Sequence, residues 1–308
     1  MFILPTNAPH LSQLRSLEIG PVCDPTDLIQ TLSSTSLLEK LKIELDRRHI
    51  NCDSDSEKKP NRVSGVVPSK KVTLPCLKKL VVKAYHDTLG AAVTILDSLD
   101  MTTDFTLFFE STTNGEFRSQ DVDGLARILT VYLSSRQAHL PNDEGAIELE
   151  SRHCFHVKYE AIGLFVFIPE GLTAGCMLSL LRSLLGAPCF QRAQSLELDS
   201  LHCEDPVHDG VREILASLTS VASLVIDEDD LSDIVRWSGE ANDGGAGELL
   251  PALEEMFIEG KYSNGLAHEV LLNQFAENRI ARRGKPLKAE YWCRVLKDYV
   301  KWQFDSQA

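Results

Sequence analysis

One short phrase of alternating apolar residues recurs along the chain and constrains its fold more than any other feature. It is "LRSLEIG" from residue 14, and close versions stand later as "LEKLKIE" at 38, "LKKLVVK" at 77, "AQSLELD" at 193, "VASLVID" at 221 and "LEEMFIE" at 253. The last three positions alternate apolar, polar and apolar, which is the periodicity of a β-strand with one buried face. Two other segments, "DFTLFFE" and "GAIELES", keep only this strand half. We therefore predict a strand at each phrase, with its leucines buried and its charged neighbours in water.

Segments with helical periodicity separate the predicted strands. They cover residues 24–34, 86–99, 119–135, 173–186, 205–218 and 229–239. Connections of this length favour parallel strands joined by crossovers. A doubly wound sheet is covered on both faces and needs nearly continuous apolar strands, whereas these strands alternate. We therefore predict an α/β fold, a leucine-rich-repeat-like solenoid with a curved parallel sheet and outer helices.

The predicted solenoid is a single irregular leucine-rich-repeat domain over residues 1–308. Residues 51–71 are polar, charged and proline-containing, which predicts a disordered loop. Residues 238–248 are rich in glycine and predict a flexible insertion. Residues 153–171 read as two strands that interrupt the regular alternation of strand and helix.

The end of the chain is predicted to close the apolar core. Residues 266–308 form a C-terminal helical cap in this interpretation, because repeat arrays need a covered end. Within it, residues 291–304 place Tyr291, Val295 and Tyr299 on one helical stripe.

Composition narrows the classes of partner and the compartment. The net charge of −14 argues against general nucleic-acid binding and leaves a basic protein partner open. The longest apolar run, residues 161–168, is far shorter than the ~18 residues of a membrane helix. The eight cysteines form no C-x-x-C pair, which is typical of reduced thiols, and the N-terminus does not resemble a signal peptide. We expect a cytoplasmic or nuclear protein without nucleic-acid or membrane partners.

The outward strand positions supply the candidate binding residues. Of the eight residues that directly follow the alternating strand positions, six are acidic. The predicted partner-binding residues of the concave face are Glu18, Lys42, Glu44, Lys83, Phe108, Glu110, Glu148, Glu150, Glu197, Asp199, Asp227, Phe257 and Glu259. The acids are interpreted either as a strip for a Lys/Arg-rich segment or as solvated strand ends. The two phenylalanines are either interface anchors or side chains beneath a loop.

The charge of this face is predicted to change along the chain. Basic residues make its first half more positive, namely Arg15, Lys40, Lys42, Lys79 and Lys83. Acidic residues dominate the second half, so a partner with matching charge asymmetry follows as a hypothesis.

The sequence contains few arrangements that could support metal binding or catalysis. "HCFH" at 153 and "HCEDPVH" at 202 bring His and Cys close together, but a zinc site needs four converging ligands. We predict no metal, no cofactor and no catalytic residue, since no G-x-S-x-G, H-E-x-x-H or Walker motif is present. The alternative is a hydrolase or transferase on a parallel α/β sheet, in which Cys or His at strand ends react. It requires two or more of His153, His156, His202 and His208 to meet a nucleophile.

Several longer segments carry a family resemblance. "PHLSQLRSLEI", "STSLLEKLKIE", "LPCLKKLVVK" and the closing "FAENRIARRGKPLKAEYWC" resemble the leucine-rich region of fungal F-box-like proteins, over about Pro9 to Cys293. The resemblance implies that the repeats hold a ubiquitylation substrate while a separate N-terminal F-box docks onto the ligase. No room for that F-box exists before Pro9, so a truncated member, a fragment or a repeat protein outside any ligase is expected.

These observations lead to a functional prediction with two alternatives. The chain is expected to be a non-catalytic protein-recognition scaffold, the substrate-binding part of an F-box-type ubiquitin ligase receptor. A ligase adaptor is expected as a partner only if an F-box precedes Met1 in the full gene. The alternatives are the Cys/His enzyme and a truncated repeat protein with no independent function.

Overall fold

A computed structural model describes most of the chain, and its residues fall into two compact units. It describes residues 9–20, 25–46, 71–85, 88–101, 104–112, 116–136, 146–150, 155–168, 172–199, 205–240, 248–260, 266–283, 287–293 and 298–302. Unit 1 comprises Met1–His139 and Ile162–Leu180, and unit 2 comprises Leu140–Ala161 and Leu181–Ala308. The single domain over 1–308 stays a prediction.

Strands and helices alternate through both units. The strands are β1 Ser16–Ile19, β2 Lys40–Leu45, β3 Lys79–Tyr85, β4 Thr106–Thr112, β5 Ala146–Glu150, β6 Phe155–Tyr159, β7 Leu164–Ile168, β8 Ser195–Asp199, β9 Ser223–Asp227, β10 Glu255–Gly260, β11 Lys288–Cys293 and β12 Asp298–Trp302. The helices are α1 Pro25–Leu32, α2 Leu89–Ser98, α3 Ser119–Arg136, α4 Ala174–Leu185, α5 Asp205–Ser217, α6 Leu231–Glu240 and α7 Leu266–Arg283. Each of the six predicted helical segments contains a helix, and each recurring phrase contains a strand, so both predictions are confirmed.

The sheet of unit 1 is parallel throughout its described strands. Its order is β1-β2-β3-β4-β7. The register aligns equivalent positions of the recurring phrase, so that Leu17 lies opposite Leu41, which in turn lies opposite Leu80. Leu41 and Leu80 are fully buried, whereas Lys42 and Val81, one residue on, are half-exposed. This confirms for unit 1 that the phrases pair side by side with their apolar residues on one face.

Unit 2 repeats this design but adds antiparallel strands. Its order is β6-β5-β8-β9-β10-β11-β12. The five strands β5, β8, β9, β10 and β11 are parallel to one another. Leu196 pairs with Leu224, and Leu224 pairs with Met256, so the phrase is again in register. The antiparallel pairs are β5 with β6 and β11 with β12. The mostly parallel α/β class is therefore confirmed, with these two departures from one strand per repeat.

Helix α3 is fixed to unit 1 by a polar side chain and a charged one inside the core. Tyr132 is buried, and its hydroxyl donates to the Phe105 carbonyl oxygen at 2.8 Å. Arg136 is also buried; it donates to the same carbonyl, pairs with Asp104 and lies 4.6 Å over the Tyr132 ring. Burial lowers the pKa of Arg136 to about 10, so the guanidinium stays charged at neutral pH.

The C-terminal segment corrects the predicted helical cap. Helix α7 ends at Arg283, but β11 and β12 follow where residues 291–304 were predicted to be helical. In β11 the buried Ala289 and Tyr291 alternate with the outward Lys288 and Glu290, which is strand periodicity. The edge of β10 that faces away from β9 hydrogen bonds to β11. This tertiary pairing overrides the local helical periodicity.

The other predicted irregular segments are described only in part. Residues 153–171 contain β6 and β7, which confirms the two predicted strands. Of the predicted insertion at 238–248, residues up to Glu240 belong to α6 and residues 241–247 lie outside the described residues. Of the predicted loop at 51–71, all but Lys71 lies outside them. Within the described part of the chain, no helix combines the length and apolar composition needed to cross a bilayer.

Candidate functional site

The residues between the buried strand positions form one solvent-facing surface on each unit, here called the strand face of that unit. All thirteen predicted binding residues lie on a strand face, and each is half-buried or exposed. Those on unit 1 are Glu18, Lys42, Glu44, Lys83, Phe108 and Glu110, and those on unit 2 are Glu148, Glu150, Glu197, Asp199, Asp227, Phe257 and Glu259. The strand periodicity therefore predicted correctly which way these side chains point.

The strand face of unit 2 brings carboxylates together across neighbouring strands. Glu148 lies directly opposite Glu197 and Glu150 opposite Asp199, at the ~4.8 Å spacing of paired strands. On the next two strands of the same face, β9 and β10, Asp227 lies opposite Glu259. We call these residues the acidic strip: Glu148, Glu150, Glu197, Asp199, Asp227 and Glu259.

Two apolar residues lie beside these carboxylates, in the row that contains Glu148 and Glu197. In the register of Glu197 the next strands contribute Val225 and then Phe257, both half-buried, followed by Glu290 on β11. The strip therefore combines carboxylates with an apolar centre. This is the composition that can hold both the charge and the aliphatic stem of a lysine or arginine.

Folding raises the pKa of Glu197, a member of the acidic strip. Partial loss of water around its carboxyl group is the main cause that raises its pKa, although the side chain as a whole stays exposed. Repulsion from Glu148, Glu259 and Asp199 raises the pKa further. Lys158 on β6 counteracts this in part; its ammonium group lies 2.5 Å from Glu148. Partial burial and neighbouring carboxylates thus both disfavour the ionised form of Glu197 in the folded chain.

This pKa shift predicts a pH-dependent gain in stability for Glu197→Gln. A carboxyl group whose pKa is raised by folding stabilises the fold most when it is protonated, below its ordinary pKa of ~4.3. That contribution is lost as the pH rises through the raised folded-state pKa. We therefore expect Glu197→Gln to have a higher urea midpoint than the wild type at pH 7, with the two curves converging near pH ~3.

Glu213→Gln is the matched control for this measurement. Glu213 is an exposed carboxylate on α5, 3.1 Å from Arg182, so its removal takes away an attractive contact. It should not raise the urea midpoint at pH 7. An equal gain in both variants would attribute the effect to net charge and would contradict the local account.

Most charges on unit 1 are paired instead. Lys42 lies between Glu18 and Glu44, at 2.5 and 2.9 Å, and these hydrogen bonds raise its pKa. Lys83 lies 2.6 Å from Glu110. Arg15 contacts a carboxylate too, that of Glu39, which Lys78 also contacts. Three of the five residues predicted to make this half basic are therefore neutralised by neighbours.

The two predicted aromatic anchors lie in different settings. Phe108 stacks against Phe165 of β7, with ring centroids 4.1 Å apart and an interplanar angle of 5°. Phe257 lies between Val225 and Glu290. Sequence reasoning missed Phe165 and Glu290. The sequence predicted a strand around Phe165 without its register, and it placed Glu290 in the segment predicted as a helical cap, so neither residue could be assigned to a strand face.

The described residues provide little that supports the alternative enzyme. Among its four histidines, only His156 has a described side chain; it is half-buried on β6, opposite Glu150. Burial raises the pKa of the Cys189 thiol to about 11, which makes it a poor nucleophile. Within the described residues, no group of three or more His, Cys, Asp or Glu side chains could hold a metal ion.

Comparison with known proteins adds no family assignment. No protein-family model, no curated protein and no solved structure matches the chain. The resemblance to F-box-like leucine-rich proteins therefore stays an expectation from short motifs. The geometry and charge of the two strand faces carry the functional argument.

Proposed function

We propose that the chain is a non-catalytic protein-recognition scaffold whose acidic strip binds a basic segment of a partner protein. The observation that carries this proposal is the strand register, which places Glu148 opposite Glu197 and Glu150 opposite Asp199 on one face. Partial burial and repulsion from neighbouring carboxylates raise the pKa of Glu197. A cluster of like charges lowers the stability of the free protein and gains most when a cation arrives. Lysine or arginine side chains of a partner supply that cation.

The apolar centre of the strip supports a protein partner over a simple counter-ion. Val225 and Phe257 lie next to the carboxylates on the same face and are only half-buried. Aliphatic stems of Lys and Arg pack on such surfaces, and an arginine also stacks on an aromatic ring. Apolar contact of this kind supplies affinity, and the surrounding charge supplies specificity and a fast association rate.

The architecture proposed for this function is a leucine-rich-repeat-like solenoid. Parallel pairing of the recurring phrases within each unit and helices between most strands support it. The substrate-binding part of an F-box-type ubiquitin ligase receptor is the narrower assignment, and only the family resemblance supports it. Contact with a ligase adaptor is proposed solely for a gene product that carries an F-box upstream of this sequence.

Charge reversal on β8 tests the proposed binding. We expect Glu197→Lys/Asp199→Lys to weaken binding of a fluorescein-labelled Arg/Lys-rich peptide by about tenfold or more, because two attractive contacts become repulsive. Fluorescence anisotropy measures the affinity at low salt. Added salt should weaken wild-type binding, since exposed charges are screened.

A second double variant controls for net charge. Asp209→Lys/Glu213→Lys makes the same charge change on α5, where both residues are exposed and away from the strand face. It should retain most of the affinity. Unchanged binding by the β8 variant, or an equal loss in both variants, would remove the acidic strip as the binding surface.

A further inference from the structure

Two lysines on the strand face of unit 1 lie directly opposite each other. Lys40 of β2 pairs in register with Lys79 of β3, and their outer neighbours in the same row are Ser16 and Thr106. Like charges in directly opposite positions destabilise a sheet. The row therefore concentrates positive charge. In contrast, Lys42 and Lys83 on the same face are paired with carboxylates.

An aromatic surface lies beside this lysine pair. Phe108 and Phe165 stack face to face on neighbouring strands, with Val81 opposite Phe108 on the other side. The Lys79 ammonium lies 4.5 Å from the centre of the Phe108 ring. Phe167, two residues beyond Phe165 on the same face, is 39% exposed. We call Val81, Phe108, Phe165 and Phe167 the aromatic patch.

We propose that the aromatic patch and the Lys40/Lys79 pair together bind a protein segment in which an aromatic or aliphatic residue is flanked by acidic residues. The apolar side chain packs on the exposed part of the phenylalanine stack. Its acidic neighbours pair with the two lysines and relieve their repulsion. The charge of these lysines thus decides the chemistry of the occupant, which is opposite to that proposed for unit 2.

The same surface is a poorer fit to a nucleic acid. Aromatic rings beside lysines do stack bases, but a phosphate backbone also needs a continuous track of cations. The same face also carries Glu18, Glu44 and Glu110, each already paired with a lysine. Two adjacent lysines match one or two carboxylates better than a run of phosphates.

Defined peptides test this proposal. The probes are a fluorescein-labelled peptide of Glu, Asp and Phe, the same peptide with Ser for Phe, and a single-stranded oligothymidylate. We expect the acidic, Phe-containing peptide to bind tightest. Its Ser version should bind about tenfold more weakly, because the apolar anchor is lost. Affinities are measured by fluorescence anisotropy at low salt.

Substitutions locate the binding on unit 1. Lys79→Ala and Phe108→Ala should each weaken binding of the acidic, Phe-containing peptide by about tenfold. Lys78→Ala is the matched control, since Lys78 is adjacent in sequence and exposed but contacts Glu39. It should change affinity by less than about twofold. If Phe108→Ala fails to fold, Lys79→Ala decides the outcome.

Three outcomes would overturn the proposal. These are equal binding of the Phe and Ser peptides, an equal loss for Lys79→Ala and Lys78→Ala, and preferential binding of the oligothymidylate. None of them affects the acidic strip, because that site lies on the other unit and is tested with a basic peptide. Failure of one proposal is therefore distinguishable from failure of the other.

Discussion

Gly260→Ala is expected to destabilise the protein by about 2–4 kcal/mol. A Cβ atom at this position would lie 1.9 Å from the Tyr291 hydroxyl and 2.3 Å from a Glu228 carboxylate oxygen. Those two buried groups hydrogen bond to each other at 2.8 Å. The added methyl group must push these two side chains apart. The change crowds the core of unit 2 and breaks the buried hydrogen bond between Tyr291 and Glu228.

Gly239→Ala provides the comparison in the same unit. Gly239 lies in α6, and a Cβ atom there would meet nothing within 4 Å. Alanine is preferred over glycine in a helix by up to about 1 kcal/mol, so this variant should be as stable as the wild type or more stable. Urea denaturation followed by circular dichroism measures both. Equal stability of the two variants would show that the contact at Gly260 is not as close as described.

Leu224→Ala should lower the free energy of unfolding by about 3 kcal/mol. Leu224 is fully buried at the centre of β9, between Leu196 and Met256 in the register of the sheet. Truncation removes apolar surface from the core and leaves a cavity. The neighbouring side chains cannot easily fill it, because their backbones are fixed by strand pairing. The effect is large because three equivalent positions of the recurring phrase meet there.

The next residue on the same strand gives a matched control. Val225 points to the strand face and is half-buried, so Val225→Ala should cost less than about 1 kcal/mol. Urea midpoints for the two variants report the difference directly. If Val225→Ala were as damaging as Leu224→Ala, the inside–outside assignment of the recurring phrase would be wrong, and with it the composition of the acidic strip.

The fold could be predicted largely because its pattern is local. An apolar residue at every second position fixes which side of a strand is buried, and the same phase in successive phrases aligns Leu41 with Leu80. The C-terminal strands could not be predicted this way. Tyr291 sits equally well on a helical stripe or at a buried strand position, and only pairing with β10 decides between them.

The candidate site could be predicted in composition but not in pairing. Sequence periodicity placed Glu197 and Lys42 correctly on the solvent-facing side of their strands. It could not show that Lys42 pairs with Glu18, or that Glu148 faces Glu197, because these contacts join different strands whose register the sequence does not give. The difference between the mostly paired charges of unit 1 and the clustered carboxylates of unit 2 follows from this pairing.

The clustered carboxylates of unit 2 and the lysine pair of unit 1 have the same electrostatic arrangement. Each places like charges on neighbouring strands, at Glu148 and Glu197 in one case and at Lys40 and Lys79 in the other. Such arrangements weaken the free protein slightly and strengthen its interaction with a partner of opposite charge. The apolar residues beside each cluster distinguish it from a simply solvated surface.

The most direct test of the recognition account is a residue-resolved NMR titration with the Arg/Lys-rich peptide. Amide shifts in ¹H–¹⁵N spectra should concentrate at Glu148, Glu197, Asp199 and Glu259 on the acidic strip and leave Glu213 on α5 unchanged. Shifts centred on α5, or spread evenly over both units, would contradict the account.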